Sequence, residues 1–477
     1  MTKPILLYFF ILFLFLSCTS IQSNENKQNL LNSVPHVEDS IIMDIPKSAR
    51  LCDNMDINKQ LVEIGDCKIY YEIEGEGIPL VLINGGPGGT HHCFHPWLTG
   101  AKDKFKIIYY DQRGCGLSDF NPGEGYSFEQ TIDDLEKLRI ALKIDKWIVL
   151  GHSFGGGIAQ YYAIKYPQNL MGTILVGSVP MINKPELNSA NENWALCEKE
   201  KSKKEELVKL IIGGKLNYAQ YFYNDAINGG WKRQNYIKPE QEMFSQLANY
   251  DIVFDPNYSS DYQLYDFEHA FKTSPIPTLI CEGKYDSLWS SEKVAVMKKN
   301  HPNAKFEYFE YSSHNIYSDE PEHFIKSISG WADEIEIPDK DKIAEWKIKT
   351  NEILGKQFDL IANNKAFINL IKNEGAESAE KFYNNFKKNN PGQILFLENS
   401  MNALAYSYMD NNISLAIELF RLNVKENPQS WNVYDSLAEA YLKAGKKQLA
   451  FENYEKSLEL NPKNENARNI MQQIEHR

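Results

Sequence analysis

Residues 146–150 (KWIVL) run without a break into Gly151-His152-Ser153-Phe154-Gly155, and helical spacing resumes at once over residues 156–166. A short run that is apolar at consecutive positions reads as a strand buried on both faces, which requires a parallel sheet layered between helices. A strand that turns directly into a helix needs small residues on either side of the turn. Such a turn lifts the Ser153 hydroxyl above the sheet and places it at a helix N-terminus, where developing negative charge is favoured. Gly-x-Ser-x-Gly alone is a modest signal, and its setting between a strand and a helix is what gives it weight.

The same alternation runs on both sides. Residues 61–65 and 68–74 read as a hairpin, 79–83 (PLVLI) and 105–110 (FKIIYY) as strands, and 127–142 as a helix with Ile132, Leu135, Leu138 and Leu142 on one face. A further strand is expected at 172–176. Residues 180 to about 270 break the pattern and read as a helical cap inserted over the sheet, with helical stretches near 192–212 and 239–249. Strands at 277–281 and 305–309 and helices at 290–300 and 320–335 then resume it. Strands alternating with helices make a mostly parallel sheet, and the expected domain covers residues 56–337.

A serine hydroxyl is a poor nucleophile without a base. Asp286 follows the strand ending at Cys281, and His314 follows the strand ending at Phe309, 28 residues later. Both fall on loops at the C-terminal ends of strands, on the rim that carries Ser153. The order Ser, acid, His is that of the α/β-hydrolase fold. The loop after the preceding strand, Gly177-Ser178-Val179-Pro180, offers no carboxylate, which favours Asp286 as the acid. The expected oxyanion donors are the backbone N–H groups of Phe154 and Gly86. Serine at the elbow excludes the aspartate nucleophile of epoxide hydrolases and dehalogenases.

Three motifs together resemble the prolyl aminopeptidase (proline iminopeptidase) family over roughly residues 60–335. They are Asn84-Gly85-Gly86-Pro87-Gly88-Gly89, Asp111-Gln112-Arg113-Gly114-Cys115-Gly116-Leu117-Ser118 and Gly151-His152-Ser153-Phe154-Gly155-Gly156. The resemblance implies removal of an N-terminal residue, often proline, from small peptides. In that family acidic residues in the insertion, or just beyond the catalytic Asp, bind the substrate's free amine. Here Ser287 follows Asp286, and Asn84 stands where members usually carry His. Glu192, Glu198, Asp251, Asp255 and Glu268 are the candidates for the amine anchor. The alternatives are a carboxylic-ester hydrolase with the same three residues, and a binding protein whose hydrolase domain is vestigial.

Other clusters carry less. His91, His92 and His95 lie within five residues, and His91 and His95 could share a helix face as metal ligands, but no carboxylate completes a site. No metal, nucleotide or flavin is implied. Tyr218, Tyr221, Phe222, Tyr223 and Trp231 fit the insertion's own core better than a substrate pocket. Asp111 and Arg113 read as structural partners.

A chain of 477 residues is too long for one ordinary domain, and 43% apolar residues suffice for a real core. A net charge of −13 argues against a nucleic-acid partner. At the N-terminus, Lys3 precedes an apolar run at residues 5–16, too short to span a bilayer, and then Ser17-Cys18. This resembles the signal and lipobox of bacterial lipoproteins. Residues 1–18 are therefore expected to direct export, Cys18 to take lipid and anchor the chain to a membrane of the bacterial cell envelope, and residues 19–55 to form a flexible tether. The alternative is a soluble periplasmic or secreted protein. Export permits disulfides, and Cys52 with Cys67 is the one short-range pair to consider.

Strands stop after Pro338, and residues 343–477 read as a helical domain. Ala416 to Ala450 and Pro428 to Pro462 are each spaced by 34 residues, and Leu404 to Leu437 by 33. With Tyr408, Phe420, Tyr441 and Tyr454, this resembles tetratricopeptide repeats, clearest over 396–464. Such repeats could bind a protein partner or pair two subunits. Two are few for a free-standing solenoid.

Overall fold

The computed structural model describes residues 40–44, 57–86, 88–119, 127–182, 264–286, 288, 290–462 and 464–475, with isolated positions between 202 and 224. Two compact units emerge, one of residues 1–262 and 266–354 and one of residues 263–265 and 355–477.

The first unit is built on eight strands: β1 (Asn58–Glu63), β2 (Lys68–Glu74), β3 (Ile78–Ile83), β4 (Phe105–Tyr110), β5 (Trp147–His152), β6 (Leu170–Val176), β7 (Thr278–Gly283) and β8 (Lys305–Phe309). Their spatial order is β1-β2-β4-β3-β5-β6-β7-β8. The β1/β2 and β2/β4 pairs are antiparallel, and all others are parallel. The central strands are apolar at consecutive positions because both their faces are covered: Leu80, Val81, Leu82 and Ile83 are fully buried, as are Ile148, Val149 and Leu150. Each such side chain contributes roughly 1.5–3 kcal/mol by leaving water.

One face packs on the segment after β3, with Phe94, Leu98 and Ala101, and on two helices, α4 (Ile316–Asp319) and α5 (Pro321–Glu334). Helices α1 (Phe128–Ala141), α2 (Phe154–Lys165) and α3 (Ser291–Asn300) complete the alternation. Ser127 and Ser290 cap α1 and α3, their hydroxyls accepting from Gln130 N (3.1 Å) and Lys293 N (3.3 Å). The strands and helices expected outside the cap are present, with β1 starting three residues earlier than its apolar run suggests; the cap helices expected near 192–212 and 239–249, and Tyr218, Tyr221, Phe222, Tyr223 and Trp231, lie largely or wholly outside the described residues.

Two expectations change. Cys67 is a free, buried thiol, so the Cys52–Cys67 pair is not formed. Part of the expected tether is held in place: the Asn224 side chain, fully buried, accepts from Ile42 N and donates to Ile42 O, both at 2.8 Å.

The boundary between units falls inside α6 (Lys340–Glu374), a helix of 35 residues, rather than in the 338–342 segment. Pro338 precedes that helix and does not interrupt it, and the strand-to-helix change in the sequence marks only its start. The second unit continues through α7 (Ala376–Asn389), α8 (Glu398–Tyr408), α9 (Ile413–Glu426), α10 (Trp431–Lys443), α11 (Lys447–Leu460) and α12 (Glu465–Glu475). Its core is continuous. Ala405, Ala416, Ala438, Ala440 and Ala450 let helices approach, and Phe367, Phe396, Phe420 and Tyr454 fill the space between them. Among the described residues no helix is long and apolar enough to cross a membrane.

Candidate active site

The elbow after β5 is strained as its sequence requires. Ser153 sits at φ 55°, ψ −120°, a conformation L-residues avoid unless held there. Its N–H donates to Val176 O at 2.9 Å, and its carbonyl accepts from Gly156 N and Val179 N. A Cβ on Gly151 would lie 2.2 Å from Gly155 O, and one on Gly155 would lie 2.3 Å from Ile83 O. Glycine is therefore required by contact on both sides of the serine.

Parallel pairing aligns the C-terminal ends of β5, β6 and β7, and this brings the other residues to the elbow. His314 Nδ1 lies 2.7 Å from Asp286 Oδ2, with both side chains buried. Asp286 Oδ1 accepts from Leu288 N at 2.9 Å, which fixes the carboxylate's orientation. A carboxylate at Nδ1 places the ring proton there and leaves Nε2 as the accepting nitrogen. Gly177, at the end of β6, has no side chain because a Cβ would meet both Asp286 Oδ2 and His314 Nδ1 at 3.1 Å.

The oxyanion loop is pressed against the same turn. A Cβ on Gly85 would stand 2.9 Å from Ser153 Cβ. Gly86 adopts φ 137°, open to glycine alone, and Phe154 is the first residue of α2. Asn84 is fully buried; its Nδ2 donates to its neighbour's carbonyl, Gly85 O, at 3.1 Å, and its own carbonyl accepts from Gln112 Nε2 at 3.2 Å.

Of the amine-anchor candidates, Glu192, Glu198, Asp251 and Asp255 lie outside the described residues, as does Cys18. Glu268, the one described candidate, donates its N–H to Asp266 Oδ1 at 2.8 Å. Its neighbour His269 donates its N–H to Asn300 Oδ1, at the C-terminal end of α3, the end away from Asp286.

Three features were not legible in the sequence. His152 is buried, with Nε2 3.1 Å from His314 O and its ring 4.7 Å from that of His314. Burial, then the adjacent His314 charge, push His152 well below the ordinary histidine range, so it stays neutral and donates Nε2–H to that carbonyl. Glu282, four residues before Asp286, is buried, and burial followed by the Asp286 charge push its carboxyl far up. Burial thus disfavours a second negative charge beside Asp286.

The third is the histidine cluster, which does acquire carboxylates. Glu72 on β2 and Asp111 after β4 reach His91 and His95 from strands distant in sequence. The alternation that puts Tyr70, Glu72 and Glu74 on one face of β2 was the available signal. Arg113 is a structural residue, binding Asp134 through Nε (2.7 Å) and Nη2 (2.9 Å), and also Asp66.

The sheet order, the elbow and a family model for the α/β-hydrolase fold that matches residues 78–321 agree: the chain belongs to the α/β-hydrolase family. Among curated relatives it is 29% identical over 281 residues to a proline iminopeptidase of Saccharolobus solfataricus, covering 56% of this chain and 88% of that protein. It is 30% identical over 285 residues to one from Clostridioides difficile, covering 55% and 94%. Among solved structures, an α/β-fold family hydrolase from Bacillus anthracis aligns at a TM-score of 0.47 and 23% identity, covering 58% of this chain and 99% of the other. An esterase from Exiguobacterium antarcticum aligns at 0.45 and 22%, covering 56% and 96%.

Proposed function

We propose that the chain is a serine hydrolase working through an acyl-enzyme, with Ser153 as nucleophile, His314 as base and Asp286 as its orienting acid. The observation that carries this is the His314–Asp286 hydrogen bond of 2.7 Å, held on the rim of a strained serine elbow. Ser153 Oγ bonds to the substrate's carbonyl carbon while its proton passes to His314 Nε2. The N–H groups of Gly86 and Phe154 receive the oxyanion as it forms. Collapse breaks the bond to the leaving group, which takes the proton from His314. Water then gives a proton to His314 and attacks the acyl carbon, and Ser153 recovers its proton as the acid departs.

The relatives named proline iminopeptidase support a small peptide with a free amine as substrate, cleaved as an aminopeptidase would. A carboxylic-ester substrate is the second reading. It is favoured by Ser287 after Asp286, where an amine-binding carboxylate is not supplied. Measuring kcat/KM on prolyl and alanyl arylamides, their N-acetylated forms and a short acyl ester decides between them. A large preference for the free amine supports the aminopeptidase. Indifference to acetylation, or cleavage of the ester alone, contradicts it.

The same proposal has residues 1–18 exporting the chain, Cys18 carrying lipid, and tetratricopeptide-like repeats docking a protein partner or a second copy. Labelling cells with an alkynyl fatty acid tests the anchor. Label is expected on the native chain and lost in Cys18→Ser; an unlabelled native chain contradicts it.

A further inference from the structure

Glu72, His91 and His95 bring three ligand-type atoms within 4.8 Å of one another, all from buried residues. His91 Nε2 lies 3.4 Å from Glu72 Oε1, and His95 Nε2 lies 2.9 Å from Glu72 Oε2. The ligand bonds of a tetrahedral zinc ion, about 2.0–2.2 Å long, set neighbouring ligand atoms about 3.3 Å apart. The two observed spacings, one to each oxygen of Glu72, lie on either side of that value, so the carboxylate would face the ion with both oxygens. The two imidazole rings meet edge-on, at 89° and 5.8 Å between centroids.

The surroundings are those of a metal ligand. Asp111 Oδ1 lies 2.7 Å from His91 Nδ1. A carboxylate there puts the proton on Nδ1 and turns the Nε2 lone pair toward Glu72, the carboxylate–histidine pairing that orients ligating imidazoles. The same Asp111 oxygen accepts from His91 N at 2.9 Å, and its Oδ2 accepts from Leu117 N at 2.9 Å. The Tyr70 hydroxyl, donating to Glu72 Oε1 at 2.7 Å, is the neighbouring oxygen. His92 is not one of the three: its Nδ1 is paired with Thr90 Oγ1 at 2.9 Å, and its ring lies against that of His91 with centroids 4.0 Å apart.

We propose that Glu72, His91 and His95 bind one divalent transition-metal ion, zinc foremost, with Asp111 orienting His91. Two imidazoles and one carboxylate suit zinc and its neighbours rather than calcium or magnesium, which take oxygen shells. The ion ties the segment that follows the oxyanion loop to β2 and takes no part in acyl transfer. The proposal is independent of the role given to Ser153.

The test uses the untagged full chain, dialysed against zinc and then freed of excess metal, with metal content read by mass spectrometry. The expected result is equimolar zinc, also in Ser153→Ala, falling at least about tenfold in Glu72→Gln and His95→Gln. Asp111→Asn should weaken zinc affinity roughly ten- to a hundredfold. Replacement by cobalt should give the visible spectrum of a four-coordinate site with nitrogen and oxygen ligands. A native chain that holds only traces of zinc, with a melting temperature indifferent to zinc and to chelator, overturns the proposal. The cluster would then be a His91 imidazolium held between Glu72 and Asp111. That measurement needs no variant, so misfolding of a substituted chain cannot obscure it.

Discussion

The two units meet the same demand, close approach of backbone to backbone, in different ways. In the first unit the glycines at the elbow are fixed by collisions with main chain, such as Gly155 against Ile83 O and Gly151 against Gly155 O. In the second, the close approaches are made by buried alanines such as Ala416 and Ala438, while Gly355 has nothing within 4 Å of where a Cβ would stand. The first unit also buries histidines among carboxylates, whereas the buried polar side chains of the second are mostly amides and hydroxyls, such as Asn402, Asn423 and Ser457, beside an aliphatic and aromatic core. A unit that stores backbone strain and buried polar groups is the one built to hold a reactive side chain in place. The second unit's geometry is that of repetitive packing, set by side-chain volume.

Substitutions should break the first unit more readily than the second. The largest effect is expected from Arg113→Ala, which removes the guanidinium from buried Asp134 and leaves it only the Gln130 amide and the more distant Lys137 ammonium. Losing one member of a buried ion pair costs about 3–5 kcal/mol, and denaturant unfolding followed by hydrogen exchange should place the loss in residues 57–335. Gly155→Ala should cost about 3 kcal/mol, because the opposing atom is backbone and cannot turn aside. A variant of native stability would show that the elbow is looser than its geometry.

His301 gives a smaller, pH-dependent effect. It is buried and stacked on Phe271 with centroids 4.4 Å apart, and burial lowers its pKa to about 3. The folded value lies below that of the unfolded chain, so the unfolded chain binds the proton first. Stability from this residue is full above pH about 6.5 and falls by about 1.4 kcal/mol per unit as pH drops toward 3. His301→Phe should flatten that part of the stability profile, and an unchanged slope would contradict the assignment. The smallest effect is a gain: Gly355→Ala, in the interior of α6, should stabilise the second unit by up to about 1 kcal/mol, read as a higher melting temperature. Destabilisation there would mean that the second unit too has contact-dictated glycines.

Much of the first unit was legible because buried parallel strands write themselves as unbroken apolar runs. PLVLI and KWIVL fall on β3 and β5, and the loops after β5, β7 and β8 deliver Ser153, Asp286 and His314 in order. Contacts made across the sheet were not legible. Glu72 sits in the strand KIYYEIE, where a charged residue reads as a solvent face, and only the β2/β4 pairing turns it toward His91 and His95. His152 reads as a spacer in the elbow motif, and its bond to His314 O spans 162 residues. The division near residue 354 falls inside α6, where no change of sequence pattern marks it.

The most direct test of the central claim is labelling of the full chain with a fluorophosphonate, with the modified residue located by mass spectrometry. Equimolar modification confined to Ser153, abolished in Ser153→Ala and slowed by orders of magnitude in His314→Ala, is the predicted result. A folded native chain left unlabelled, or labelled at another serine, would contradict the assignment of Ser153 and with it the proposed mechanism.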